Sequence, residues 1–303
     1  MDFSSYRRPV LALGLGSALA LGMVARAEVP ATLTAATPSA APAADGGPFG
    51  WLDSRSAYNA DFFTQPLLVD DTSLEDGELE FSSLHTSAGA QHSDTIAGGG
   101  QKSFGLLTLE ISVPYERMSD AANFSQGLGN ISVGGRYPLY QLVAANGFFD
   151  TTFGVAGEVG IPVNSTVSKN AEVVPKVFDD LRLGEHFSLQ TVLGYATILG
   201  SGETGGVQSF DYGFAFGWKT PHAELAVPGI RQITPLFELS GETQLNQSAA
   251  GQNSLLGSLG VRIDFASIGD IHPSIGLGYI FPVDNGAHTE VHWGIASSLT
   301  LEF

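Results

Sequence analysis

The residues best suited to catalysis or metal binding in this sequence are its seven histidines and the serines and carboxylates around them. His288 and His292 are four residues apart, which on a strand separates them by about 13 Å, too far to share one metal ion. His292 and Ser298 would share a strand face at about 20 Å, too far for a nucleophile and its base to form a hydrogen bond. We therefore predict no metal, no cofactor and no enzymatic activity.

A second set of residues consists of charged and histidine side chains that alternate with apolar residues. Side chains two positions apart on a strand share a face, so these residues would form one polar wall. Charges of both signs on such a wall can pair, and they indicate a wet or salt-bridged interior, because an unpaired buried charge costs several kcal/mol. The predicted lumen-lining residues are Glu110, Arg136, Glu158, Arg182, Asp211, Glu238, Glu242, Arg262, Asp264, His272, His292 and Glu302.

The clearest of the strands that must carry these residues is the last one, EVHWGIASSLTLEF (290–303). Its alternation predicts one small or polar face and one apolar face. An apolar strand at the edge of a soluble sheet invites pairing with other chains, whereas the last strand of a membrane barrel closes onto the first. The apolar face comprises Val291, Trp293, Ile295, Leu299, Leu301 and Phe303.

Ten further segments show turn-bounded alternation. Most of the segments have 10 to 15 residues, longer than the ~5–6 of soluble sheets and suited to a tilted membrane crossing of ~9–11 residues. Since bacterial barrels have even strand numbers, we predict an all-β fold, a closed antiparallel transmembrane β-barrel of about 12 strands, with 10 or 14 as alternatives. The missing strand would lie in 55–69 or 87–103. The ten segments are 78–86, 107–115, 130–139, 149–163, 172–183, 186–198, 207–218, 233–246, 255–265 and 271–283.

The N-terminal third of the chain is organised differently. Residues 1–27 read as a secretory signal peptide, with a basic start, an apolar run and the cleavage motif Ala25-Arg26-Ala27. Residues 28–48, rich in Ala, Pro and Thr, predict a flexible linker. Residues 49–76 would form a plug, a first strand or a segment at the barrel mouth, and 77–303 would form the barrel.

The composition narrows the class of partner. The net charge of −18 argues against nucleic acid. The chain has no cysteine, so neither disulfides nor thiolate metal sites contribute. Thirty-eight glycines and 19 phenylalanines favour strands and tight turns. From the predicted barrel we expect outer-membrane lipid as a partner, with the C-terminus in the periplasm of a Gram-negative bacterium. The oligomeric state is left open.

Three further stretches contain glycine, and two of them also contain aromatic residues. They are GLGNISVGGRYPLY (127–140), EVGIPV (158–163) and IHPSIGLGYIFPV (271–283). These stretches resemble segments of the outer-membrane proteins of the MetA-pathway of phenol degradation, although Asn130 departs from that family's usual Asp. The resemblance implies a porin-like outer-membrane transporter, with a small solute and the outer-membrane assembly machinery as partners. The closing residues Trp293, Ile295, Leu299, Leu301 and Phe303 also resemble the signal that the outer-membrane assembly machinery reads.

Three functions follow from this organisation. The first is an outer-membrane channel for passive passage of small solutes, including hydrophobic or aromatic compounds. The second is a closed structural or adhesive barrel filled by ion pairs and by 49–76. The third is a secreted soluble β-barrel or sandwich that binds a ligand, because alternation alone does not say whether water or lipid touches the apolar face. The small inward residues suit either close backbone packing or a clear bore.

Overall fold

The computed structural model describes residues 50–51, 63, 65–73, 77–120, 122–144, 148–164, 167–200 and 205–303. The predicted signal peptide and linker lie outside the described residues, and 49–76 lies within them only in part. In the described part of the chain, no helix is both long and apolar enough to cross a bilayer.

Twelve long strands make up the described barrel. In chain order they are β1 (Gly77–Ala88), β2 (Gln91–Phe104), β3 (Leu107–Ser119), β4 (Ile131–Val143), β5 (Phe149–Ile161), β6 (Ala171–Leu183), β7 (Phe187–Leu199), β8 (Gln208–Trp218), β9 (Ile230–Gln244), β10 (Asn253–Phe265), β11 (His272–Pro282) and β12 (Trp293–Glu302). Shorter elements lie in the connections: strands Phe124–Leu128 and Thr220–Pro221, helix α1 (His222–Leu225), a 3₁₀ turn (Gln247–Ala249) and helix α2 (Asn285–Glu290). Gly50–Trp51 pairs with Tyr140 and Gln141 of β4.

Each strand pairs antiparallel with the next, and β12 closes onto β1. The closing ladder runs in continuous register from Trp293 opposite Ser87 to Glu302 opposite Glu78. The predicted closed antiparallel barrel of 12 strands is therefore confirmed. We call the end that holds Gly77 and Phe303 the terminal rim, and the other end the opposite rim; connections alternate between them along the chain.

The strand that the sequence did not reveal directly is β2, which lies in the predicted range 87–103 except for its last residue, Phe104. Its apolar alternation is interrupted by Gly98, Gly99 and Gly100, which gives it little signal of its own. A side chain at Gly98 would meet the Phe81 ring, and one at Gly100 would meet Leu79. Large side chains of β1 thus cover the bare backbone of β2, which only pairing of the two strands reveals.

The outward surface is apolar along most strands. In β3, Leu107, Leu109 and Ile111 are 40–51% exposed, whereas the intervening Thr108 and Ser112 are buried. Trp293, Ile295 and Leu299 are exposed in the same way. This is the arrangement of a membrane barrel, with apolar side chains outside and polar side chains inside.

Two positions differ from the simple alternation. A bulge between Pro138 and Tyr140 shifts the register of β4 against β5, so Tyr140 stacks on Phe153 at 5.4 Å between ring centroids. The outward parity therefore changes after the bulge. Val291, predicted on the apolar outward face, is instead buried in an internal apolar cluster, because it lies before β12 begins.

Candidate functional site

Residues 65–73, which we call the lumen segment, lie inside the barrel. Their partners belong to inward-facing positions around the whole wall, from β1 through β6 to β12. The contacts begin at Gln65, which binds Glu78 and Arg262, and end at Thr72, which binds Asp180. A segment held from opposite sides of a closed barrel crosses its interior.

The central anchor of the lumen segment is Glu238 on β9. Three consecutive backbone N–H groups, of Leu67, Leu68 and Val69, donate to its carboxylate at 2.7–3.1 Å. The side chain of Glu238 is completely buried. Successive N–H groups directed at one anion form a nest, which offsets the cost of burying the charge.

Small residues of the wall make room for the lumen segment. A Cβ at Gly276 would overlap Leu67, and one at Gly260 would lie 2.7 Å from the same side chain. A Cβ at Gly213 would overlap Val69. The inward glycines of these three strands therefore serve close packing rather than an open bore.

An apolar cluster inside the barrel was not visible in the alternation. Leu67 and Leu68 belong to one buried cluster with the inward-facing Leu236, Leu256 and Ile280. The sequence places these aliphatic residues among polar ones on the inner face, where a water-filled lumen would not favour them. Inward apolar residues opposite small ones are the sequence signal of a buried segment.

A charged network holds the other half of the lumen segment. Lys176 on β6 contacts Asp70 at 2.6 Å and Glu158 at 2.8 Å. Arg136 on β4, 4% exposed, contacts Glu110 at 3.0 Å and donates to the Asp71 carbonyl at 2.9 Å. Positive charges of the wall thus connect its carboxylates to the segment, and such pairing offsets the desolvation of both signs.

A third contact lies around Arg262 on β10, which is 2% exposed. Its guanidinium donates to Ser274 at 2.9 Å, Thr300 at 3.0 Å and Ser298 at 3.0 Å, and to the Gln65 side-chain oxygen. It therefore joins β10, β11 and β12 to the start of the lumen segment.

The other predicted lumen residues make contacts along the wall itself. Arg182 approaches Asp150 at 3.6 Å, Asp211 accepts from Ser209, and Asp264 accepts from Gln232. His272 is 3.3 Å from Arg231. Glu242 accepts from Gln244, and Glu302 pairs opposite His272 in the ladder. His292 lies in the connection before β12 and is exposed.

Helix α2 lies over part of the barrel at the opposite rim, with Ala287 buried in the internal apolar cluster. Asp284 caps it by accepting from the Ala287 N–H at 2.8 Å. Partial burial raises the pKa of Asp284, but hydrogen bonds from Ala287, Asn253 and Leu255 outweigh it and hold the pKa below its ordinary 3.8.

We expect Asp284→Asn to abolish the pH-dependent contribution that the Asp284 carboxylate makes to the free energy of unfolding. Because the folded pKa is lowered, this contribution is complete above about pH 4 and is lost as pH falls through the folded pKa. Above that pH, Asp284→Asn keeps a capping oxygen but loses the negative charge at the helix N-terminus, which should cost about 0.5 kcal/mol. Thermal unfolding of the purified protein across this pH range measures it, with exposed Asp270→Asn as control; equal pH profiles for wild type and Asp284→Asn would contradict it.

Among the described residues, two cavities adjoin the lumen segment. The larger, of about 260 Å³, lies toward the opposite rim and reaches Lys169 and Asn170. The smaller, of about 130 Å³, reaches Glu78 and Glu80 of β1. Leu68, Val69 and Asp70 line both. The lumen segment therefore stands between two spaces on the barrel's interior.

Comparison with solved structures gives similar barrels. The COG4313 outer membrane channel from Pseudomonas putida F1 matches with a TM-score of 0.51 and 13% identity, over 78% of this chain and 100% of that chain. The NanC porin matches with a TM-score of 0.44 and 10% identity, over 74% and 98%. At such identities the first likeness shows a shared fold. No protein-family model matches the sequence, and no curated protein is significantly similar to it. Membership of the phenol-degradation family stays a prediction.

Proposed function

We propose that this protein is an outer-membrane channel for passive passage of small solutes, whose bore is narrowed by the lumen segment. The observation that carries the proposal is a closed barrel with an apolar exterior and a charged interior containing two cavities. A barrel fold shared with an outer-membrane channel supports it. Lipid would contact the outer face, and the assembly machinery would insert the barrel through its last strand.

The proposal is tested by recording purified protein in planar lipid bilayers. Discrete conductance steps are expected, of small amplitude because the lumen segment occupies the bore. Liposome swelling with neutral solutes of increasing size would measure the cut-off. A barrel that inserts, shown by a heat-modifiable gel shift, yet remains electrically silent and impermeable would overturn the proposal.

The second candidate function is a closed structural barrel. The extent of the packing between the lumen segment and the wall favours it, since Glu238, Arg136 and Arg262 are all largely buried. The same recordings separate the two candidates, because a closed barrel passes neither ions nor solutes.

The charge of the larger cavity predicts selectivity. Its lining includes more carboxylates than ammonium groups, so we expect cations to pass more readily than anions. Lys176→Gln removes a positive charge beside the pathway, which changes the electrostatic energy of a passing ion by roughly 1 kcal/mol. The cation-to-anion permeability ratio should therefore rise about five-fold. Reversal potentials under a salt gradient measure that ratio.

Lys176→Arg is the matched control, because it keeps the charge. Its permeability ratio should stay near the wild-type value. An unchanged ratio in Lys176→Gln would show that ions do not pass close to this residue.

A further inference from the structure

Two hydrogen-bond acceptors on the wall of the larger cavity have no partner among the described residues. Glu116 is 5% exposed and has neither a hydrogen bond nor an ion pair within the described part of the chain. Asn130 is 6% exposed; its Nδ2 donates to the Asn170 carbonyl at 3.1 Å, but its Oδ1 has no partner among the described residues. A buried acceptor without a donor is costly, more so when it is charged.

These two acceptors lie on neighbouring parts of the cavity wall. Glu116 lies near the end of β3, and Asn130 immediately precedes β4, which pairs with β3. The Gly129 N–H donates to the Pro114 carbonyl at 3.0 Å. A Cβ at Gly129 would overlap the Glu116 carboxylate, and one at Gly160 would lie 3.1 Å from Asn130 Nδ2. Glycine at both positions leaves the two polar side chains their space.

The charge around this pair excludes an anionic ligand. Lys169 and Lys176 are the cations on the described wall of the cavity, and Lys176 is already shared between Asp70 and Glu158. A negative field of this kind concentrates cations. The six carboxylates of the wall are those of Asp70, Glu116, Glu158, Glu172, Asp211 and Glu242.

The same cavity has an apolar side. Leu68 and Val69 of the lumen segment line it together with Val174, Val192 and Ile198 of the wall. A hydrated metal ion would gain nothing from such a surface, and Ca²⁺ prefers six to eight oxygen ligands. No group of three or more metal-binding side chains lies together in the described residues. Apolar walls with a few placed polar groups are typical of sites for small organic molecules.

We propose that the larger cavity binds a small organic cation, with its ammonium group between Glu116 and Asn130 and its apolar body against Leu68, Val69 and Val192. The ammonium group supplies the donors that both acceptors lack, and a charged hydrogen bond to a buried carboxylate is among the strongest available. The inference rests on the proposed function, because it names the class of solute that the channel takes.

The experiment is calorimetric titration of the detergent-solubilised full-length protein with 2-phenylethylammonium. The neutral analogue 2-phenylethanol and the anion phenylacetate are titrated in parallel. The amine should bind at least about ten-fold more tightly than either, because only it satisfies the charged acceptor.

Two variants assign the binding to this site. Glu116→Gln should weaken binding of the amine by about 10- to 100-fold, and Asn130→Ala, which removes the second acceptor, should weaken it by a smaller factor. The matched control is Glu80→Gln, the same substitution in the smaller cavity, which should bind as wild type does. A heat-modifiable gel shift confirms that each variant is folded.

Equal binding of the three probes, or equal loss of affinity in Glu116→Gln and Glu80→Gln, would overturn the inference. So would binding of Ca²⁺ that Glu116→Gln abolishes while the amine fails to bind. Calorimetry does not require conduction, so the two proposals fail separately: a conducting barrel that ignores the amine refutes the site, and a silent barrel that binds it refutes the channel.

Discussion

A chain that lacks residues 65–73 is expected to show a single-channel conductance several-fold above that of the full chain. The segment lies between two cavities whose linings share Leu68, Val69 and Asp70, so its removal joins them into one water-filled passage. The barrel itself should persist, because the ladder that closes β12 onto β1 does not include the segment. Recordings in planar bilayers measure the change.

The control for that deletion removes nine residues, 31–39, from the Ala-, Pro- and Thr-rich stretch near the N-terminus. It shortens the chain equally without touching the lumen segment, so its conductance should match that of the full chain. Equal conductance of both deletions would mean that the segment does not limit the flow of ions.

The second large effect is expected from Glu238→Gln. The amide keeps the shape of the side chain, but it replaces one acceptor oxygen with a donor that faces the N–H groups of Leu67, Leu68 and Val69. The anchor should weaken by about 3 kcal/mol, since buried donors lose a charged partner. The lumen segment would then leave its place about 100 times more often.

Cysteine labelling measures that release, because the chain has no native cysteine. Val69→Cys, at a position 8% exposed, should react slowly with a hydrophilic maleimide in the otherwise wild-type protein. Adding Glu238→Gln should raise the rate about 100-fold. Asp264→Asn is the matched control: this buried carboxylate accepts from Gln232 rather than from the segment, so the rate should not change.

If Glu238→Gln left the labelling rate unchanged, the nest would not be what holds the segment in the lumen. If the control accelerated labelling equally, the effect would reflect general loosening of the barrel. Conductance of the same variants provides a second reading, with more frequent openings expected only for Glu238→Gln.

Alternation along the chain predicted much of the fold. In β3 and β12 it assigned apolar side chains to the outer face and polar ones to the inner face, because a strand has a period of two whatever its neighbours are. The closure of the last strand onto the first was also predicted, since an apolar edge needs a partner. Strand length and an even count led to twelve.

Other features depended on contacts that no local pattern carries. The glycine-rich β2 is recognisable as a strand only beside β1, whose Phe81 and Leu79 side chains lie over its glycines. The bulge at Pro138–Tyr140 changed the outward parity of β4. For the charged residues of the inner wall, the sequence left two alternatives open, a water-filled bore and a filled one. Arg136 and Lys176 contact the lumen segment, so the bore is filled at their positions.

By itself, the sequence determined which side chains face outward and which face inward within the regular strands, because that division follows from the geometry of a single strand. Only the tertiary structure decided what occupies the interior. Glu238 meets Leu68 across 170 residues of chain, and the Glu116 carboxylate and Asn130 Oδ1 find no donor among the described residues. Such relations exist only when distant parts of the chain are folded together.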